Sequence, residues 1–579
     1  MKNKKKPQPL KKAVSQPKAK KNDSATGYYL AAAFLVVATI IAFFPCVNNG
    51  FSYWDDPTYI VNNPLIREMT LGNIKRIFSE VYFINYAPLH LFSYMIEYHF
   101  FGLSSSGYHW VSLFMHIVNV LLVLAIGRFI SNNNIIAFFT ALLFAVTPMH
   151  VESVAWASER KDMLYSMFFF AGLLSYLNYV KKDMKPKYLV LSMIFFLLSV
   201  FSKTMAVSLV PVLFLVDYLY RRKWNAKILL EKIPFILISL LMGIIAVKAQ
   251  SGSIDTSDEF TFLDRIFFAC QNLLMYAGKL IVPVNLSCFY AYPLLEKGHI
   301  PINFYISSIG IVILAILILW SMRKGRLVFF GAGFFVATVA LVLMIIPVGP
   351  NIFSERYSYI PSVMLYYVIC YYLFTQIAKK NSRTWMITTS VALAIVNIIF
   401  IQITRERCTV WKNDISQLSD WIKNNPKFAI AYNNRGEAYK ILNQYDPAIA
   451  DFRKAISLRP ELDKAYSGLC EIYGTLGNLD SALYYANHGL EIKPDLPSIL
   501  NNRGIIRSIR NNTDSAMMDY NYAIQLQPEF FEAYTNRGIL YNNLGNSGAA
   551  LKDFESALKY KPDFQRAIDQ REKLLNNKK

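Results

Sequence analysis

The amino-acid sequence predicts an all-α protein in two parts: a polytopic membrane helix bundle of about 11 spans, then an α-solenoid of short helical repeats. Three observations predict it. With 54% hydrophobic and 15% aromatic residues, the chain is too apolar for an ordinary soluble protein of 579 residues. Apolar runs long enough to cross a bilayer recur up to about residue 404. Beyond them the composition turns polar, and proline returns every 34 residues, at Pro460, Pro494, Pro528 and Pro562.

Residues 1–27 form a basic arm with nine lysines before Asn22, and residues 28–404 form the membrane domain. Spans are expected near 28–47, 108–130, 133–148, 162–180, 187–202, 204–220, 232–249, 303–322, 327–347, 358–378 and 384–404. The first is an uncleaved span, because no small-residue cleavage site follows it. The net charge of +21 is gathered in the arm and in short loops at 181–187, 221–230, 322–326 and 379–383. With the arm in the cytoplasm, alternation puts all of these loops there too, as the positive-inside rule requires. The charge is therefore explained by orientation in membrane lipids, and no nucleic acid partner is implied. Two amphipathic stretches, 86–103 and 263–283, fall in external loops and suit the bilayer surface better than its core. An odd span count places everything after Thr404 outside the cytoplasm, as in a multi-pass protein of a bacterial inner membrane or its equivalent.

After a linker and half-repeat at 405–428, residues 429–579 divide into units at 429–462, 463–496, 497–530 and 531–564 with a C-terminal capping helix. Small residues recur where paired helices must approach, as at Gly436, Ala448 and Ala455, and each proline ends a second helix. This is the tetratricopeptide pattern. Aligning the units brings Asn434, Asn502 and Asn536 to one offset, broken by Gly468 in the second unit. That offset faces the concave groove of such superhelices, where amides can hold an extended acceptor peptide or protein. Solvated surface positions are the plainer reading.

The chemistry-bearing residues lie in external loops. Asp55 and Asp56 follow the first span, and adjacent carboxylates at a membrane surface can activate a hydroxyl, one as base while the other orients it or holds a divalent metal. A metal requirement stays open, as does which of the two is the base. An Asp-Asp-Pro run also makes an ordinary turn. His116 and His150 have no partner at a metal-ligand spacing, and six scattered cysteines predict neither a disulfide framework nor a zinc site.

A "WDD" in the first loop, "TPMHVESVAWASERKD" at 147–162, "SERYSYIPS" at 354–362 and a terminal repeat array together resemble the TMTC family. These are transmembrane and tetratricopeptide-repeat proteins of the GT-C glycosyltransferase superfamily, akin to protein O-mannosyltransferases. The resemblance implies an enzyme moving a mannose-like sugar from a polyprenyl-phosphate donor to an acceptor hydroxyl, as on protein Ser or Thr, outside the cytoplasm. It implies Asp55 and Asp56 as catalytic with Glu152 assisting, Arg356 as the cation for the donor phosphate, and Arg160 or Lys161 meeting that phosphate too; Lys203, external between two short spans, is the second candidate for the cation. A non-catalytic scaffold or a transporter whose repeats recruit envelope proteins is the alternative. Against it, the charged groups gather in the external loops a GT-C site would use, and few ionisable residues lie within the spans.

Overall fold

The computed structural model describes residues 25–576 apart from 252–259, 294, 296–297, 324, 347–348, 350 and 380–381. Most of the basic arm expected at 1–27 lies outside the described residues. Two compact units are present, Met1–Ser416 and Gln417–Lys579.

In the first unit a helix lies on each of the eleven apolar stretches. These are α1 (Ala25–Phe43), α4 (Ser105–Ser131), α5 (Asn134–Val146), α7 (Arg160–Lys181), α8 (Pro186–Ser202), α9 (Leu209–Leu219), α10 (Ala226–Gln250), α12 (Ile302–Ser321), α13 (Leu327–Val339), α14 (Ser362–Lys379) and α15 (Arg383–Val410). Between them come α2 (Leu71–Ser79), α3 (Pro88–Phe101), α6 (Val151–Ala155) and α11 (Phe262–Ile281). Six segments are long and apolar enough to cross a bilayer: Ala25–Asn48, Ser105–Ser131, Ala157–Lys181, Ala226–Gln250, Ile302–Ser321 and Arg383–Val410. The expected count of about 11 is reached only by adding shorter or bent helices. The expected span at 133–148 is one of these, because α5 stops at Val146 and the chain bends by 54° into Pro148–Ala155. Pro148 has no amide hydrogen to continue the helix, and its ring crowds the preceding turn. On α12, Ile306, Ile309, Val312, Ile313 and Ile316 are all more than half exposed, a surface that is stable only against lipid. This is a membrane protein.

The stretches read as amphipathic are helical too, as α3 and α11. Thr261 caps α11 reciprocally with Asp264, and α3 buries Leu91, Tyr94 and Met95 while Phe100 stays out. Strand β1 (Tyr290–Ala291) pairs antiparallel with β2 (Asn351–Phe353) and ties the loop after α11 to the approach to α14.

In the second unit, helical hairpins repeat: α17 (Ala429–Ile441) with α18 (Tyr445–Leu458), α19 (Asp463–Thr475) with α20 (Leu479–Ile492), α21 (Pro497–Ile509) with α22 (Thr513–Leu526), and α23 (Phe531–Asn543) with α24 (Ser547–Tyr560). Helix α16 (Asp414–Asn424) precedes them and α25 (Gln565–Asn576) follows. Close packing explains the glycines: a Cβ on Gly504 would come within 2.7 Å of Tyr520, and one on Gly538 within 2.7 Å of Phe554. A second device recurs with the repeat. Arg435 forks onto Asp451 at 2.7 and 2.9 Å, Arg503 onto Asp519 at 3.0 and 2.7 Å, and Arg537 onto Asp553 at 2.8 and 2.8 Å. The three aspartates are buried, so each bidentate pair clamps the first helix of its hairpin to the second. The second hairpin has Leu469 and Tyr485 at those offsets instead, and there Tyr485 stacks on Tyr473 at 5.6 Å.

Candidate functional site

The site is built where the loop after α1 meets α6, the first turn of α7, the junction of α8 with α9, and the short turn Glu355–Ser358 before α14. The two acids in the first loop are held very differently. Asp56 is buried and accepts from the Ser52 amide at 2.6 Å, from the Ser158 amide at 2.9 Å and from the Ser158 hydroxyl. Burial is the largest influence on its carboxyl and pushes it up to about 6, with the serine hydrogen bonds pulling the other way. Asp55 is half-buried, and among the described residues nothing donates a hydrogen bond to its carboxylate. Burial also raises its pKa, opposed chiefly by the Lys161 ammonium and then by Arg356.

Around Asp55 stands a belt of alternating charge. Lys161 Nζ lies 3.0 Å from Glu159, Lys203 reaches Glu159 at 3.6 Å and contacts Asp162, and Arg356 contacts Glu152 while its Nε lies 3.6 Å from Glu159. Glu152 also accepts from the Arg356 amide at 3.0 Å, so it fixes both the backbone and the guanidinium of that residue. The side chains of Arg356 and Lys203 keep 14% and 13% of their surface, enough to meet an anion from the open side. Next to Arg356, Glu355 is buried and accepts from the Ser287 amide at 2.8 Å and the Tyr290 hydroxyl at 2.6 Å, which locks the β1 loop beneath it. Three indoles pack at the rim: Trp156 stacks on Trp411 at 5.3 Å, and Trp54 meets both edge-on.

Of the residues expected from sequence, Asp55, Asp56, Glu152, Arg356 and Lys203 come together. Arg160 does not join them and is corrected here. It is fully buried, paired with Glu97 of α3, and donates to the Tyr108 carbonyl at 2.7 Å. Successive residues on a helix point about 100° apart, so with Lys161 facing the belt its neighbour must face elsewhere. The pairing answers the burial that pushes Glu97 up to about 7. His116 bonds Tyr359 at 2.6 Å and the Ala145 carbonyl at 3.2 Å, a structural role. Among the described residues, no cluster of three or more His, Cys, Asp or Glu is placed to hold a metal.

The three asparagines of the column differ in their surroundings. Asn536 is buried and donates to Asn501 at 2.8 Å, Asn502 donates to Glu471 at 3.2 Å, and Asn434 accepts from Asn433 at 3.2 Å. Asn502 and Asn536 thus bond to the preceding repeat and Asn434 to its own neighbour, and only Asn536 is buried, with Asn434 and Asn502 half-buried. Sequence reasoning missed Ser158, Glu97 and the indole cluster; Ser158 sits inside the 147–162 motif, but nothing in its spacing names Asp56 as its partner.

Residues 85–249 match the family model described as dolichyl-phosphate-mannose-protein mannosyltransferase, and residues 429–462 and 520–552 match tetratricopeptide-repeat models. Among curated proteins, the chain is 23% identical to protein O-mannosyl-transferase F38B6.6 of Caenorhabditis elegans, over 74% of this chain and 63% of that one. It is 23% identical to Tmtc3 of Drosophila melanogaster over 65% of this chain and 49% of that one, and 33% identical to human TMTC4 over 26% and 23%. The chain thus spans about half to two thirds of the length of the first two. Among solved structures it is similar to a tetratricopeptide protein of Thermus thermophilus, TTC0263, with 20% identity and a TM-score of 0.26 over 28% of this chain and 88% of that one. Fold and site define a helical membrane protein with an appended tetratricopeptide array. Within that class the chain is TMTC-like.

Proposed function

We propose that the chain transfers a mannose-like sugar from a polyprenyl-phosphate donor to a hydroxyl of an acceptor protein outside the cytoplasm. The observation that carries the reading is the Asp55 carboxylate: half-buried, without a hydrogen-bond donor among the described residues, and next to Lys161 and Arg356. A base must be reached by the hydroxyl it deprotonates, and Asp56 is buried and holds three hydrogen bonds within the fold, whereas Asp55 keeps exposed surface. In this mechanism the acceptor hydroxyl gives its proton to Asp55 as its oxygen bonds to the anomeric carbon. The bond from that carbon to the donor phosphate oxygen breaks, and the electron pair stays on the phosphate. Arg356 and Lys203, already ordered by Glu152 and Asp162, meet the charge that develops there. Asp56 sets the loop, and Glu152 aims the guanidinium.

The basic loops support the orientation that puts this site and the repeats on the extracytoplasmic side. The repeats bind acceptor protein, and their tether to the membrane unit raises its local concentration. The test is direct: protein reconstituted in liposomes with radiolabelled polyprenyl-phosphate mannose and a Ser/Thr-containing acceptor should yield label in the acceptor that α-mannosidase releases. Intact donor after incubation with folded protein would overturn the proposal.

A further inference from the structure

Beyond the reacting groups, the segment leading into Asp55 and Asp56 is also fastened along the end of α15 and the start of α16. The Asn49 side-chain amide donates to the Cys408 carbonyl at 3.1 Å, the Gly50 amide to the Lys412 carbonyl at 3.1 Å, and the Tyr53 amide to Asp414 at 2.9 Å. At the head of this seam are two cysteines. Cys46 lies in the short 3-10 turn Phe44–Asn48 that ends the first span, and Cys408 in the last turn of α15. Both are buried, and Asn49 bridges them, its amide donating to the Cys46 carbonyl at 3.0 Å and its side chain to the Cys408 carbonyl.

We infer that Cys46 and Cys408 are a cross-linking site, joined as a disulfide in the mature protein so that the first and last membrane helices are stapled beside the acidic loop. The inference rests on the orientation proposed above, since only an oxidising compartment on that side would keep the bond. The oxidant is the disulfide of a thiol–disulfide oxidoreductase. One thiolate attacks it to give a mixed disulfide and release one oxidant thiol; the second thiolate then attacks the mixed disulfide, forming the Cys46–Cys408 bond and releasing the other. The two protons lost by the cysteines end on the two oxidant sulfurs. Both thiols are sealed in the folded unit, so exchange must precede the docking of α15 against α1. The bond closes a loop that holds every other membrane helix, the arrangement in which a cross-link most restricts the unfolded chain. Hydrogen bonds along the seam fix the direction of the acidic loop, and the staple fixes its distance.

The test uses the full chain in native membranes, acid-quenched, denatured and alkylated before or after reduction. Two of the six cysteines should resist alkylation until reductant is added, and proteolysis should release a peptide joining Cys46 to Cys408, lighter by one hydrogen per cysteine than the reduced pair. Cys46→Ala, Cys408→Ala and the double variant should lose the same amount of thermal stability, because each removes the same bond. A reporter after residue 579 records the side of the membrane in the same cells. All six cysteines alkylated without reductant, with the reporter extracytoplasmic, would overturn the staple and leave the orientation standing; a cytoplasmic reporter would overturn both.

Discussion

Replacing each acid of the first loop by its amide should separate a chemical role from a structural one. Asp56→Asn keeps one acceptor oxygen. If that oxygen faces Ser158, the new amide nitrogen faces the Ser52 N–H at what was a 2.6 Å hydrogen bond; turned over, it faces the Ser158 N–H at what was 2.9 Å. Either way two donors oppose each other and one buried N–H loses its partner, at a cost of about 1–3 kcal/mol. The variant should therefore unfold more readily, with a moderate loss of activity that follows the loosened loop. Asp55→Asn breaks no hydrogen bond, so its stability should stay near that of the parent while kcat falls by about 10² to 10⁴, the range for losing a general base. Label transfer in liposomes gives kcat and KM, and thermally challenged size-exclusion gives the stability. Parental turnover in Asp55→Asn, or catalytic collapse of a fully stable Asp56→Asn, would refute the assignment.

Other outcomes follow from the same geometry. Arg356→Lys loses the planar fork that Glu152 orders, and donor KM should rise about tenfold or more with little change for the acceptor. Arg160→Ala leaves Glu97 buried without its partner, which should cost about 3–5 kcal/mol and show as poor membrane assembly, with unchanged donor KM in whatever protein folds. The acid limb of the pH–rate profile should lie above the ordinary carboxylate range. Asp55 must be ionised to act, and burial raises its pKa. The linked stability runs the opposite way: the fold favours neutral Asp56, so that contribution is complete below the ordinary Asp value near 4 and is lost as pH rises through about 6. Arg503→Ala should open α21 and α22 to hydrogen exchange while α17 and α18 keep their protection.

What the sequence could tell depended on the range of the interaction. Helix positions were legible because bilayer-length apolar runs and the 34-residue proline spacing are written locally. So was the presence of an acidic pair at the end of the first span. Its asymmetry was not, because Ser158 is supplied from 102 positions away and only folding decides which carboxylate it meets. Arg160 and Lys161 look alike as adjacent cations, and their separation depends on which way α7 is rotated. The asparagine column was legible as an alignment, but the partner each amide takes inside the array was not, since Glu471 and Asn501 are supplied by the preceding repeat. The arginine clamp was available in the same alignment, as Arg435 with Asp451, Arg503 with Asp519 and Arg537 with Asp553, but one break at Leu469 hid it.

That break gives the array a grain. A solenoid behaves as a row of links whose strengths nearly add, and three of these links carry an ionic fork while the second carries stacked tyrosines. Under load or dilute denaturant, such a row parts at its odd link. The last two hairpins would then come away together as a piece with its own clamps intact, leaving the first hairpin attached to the membrane unit.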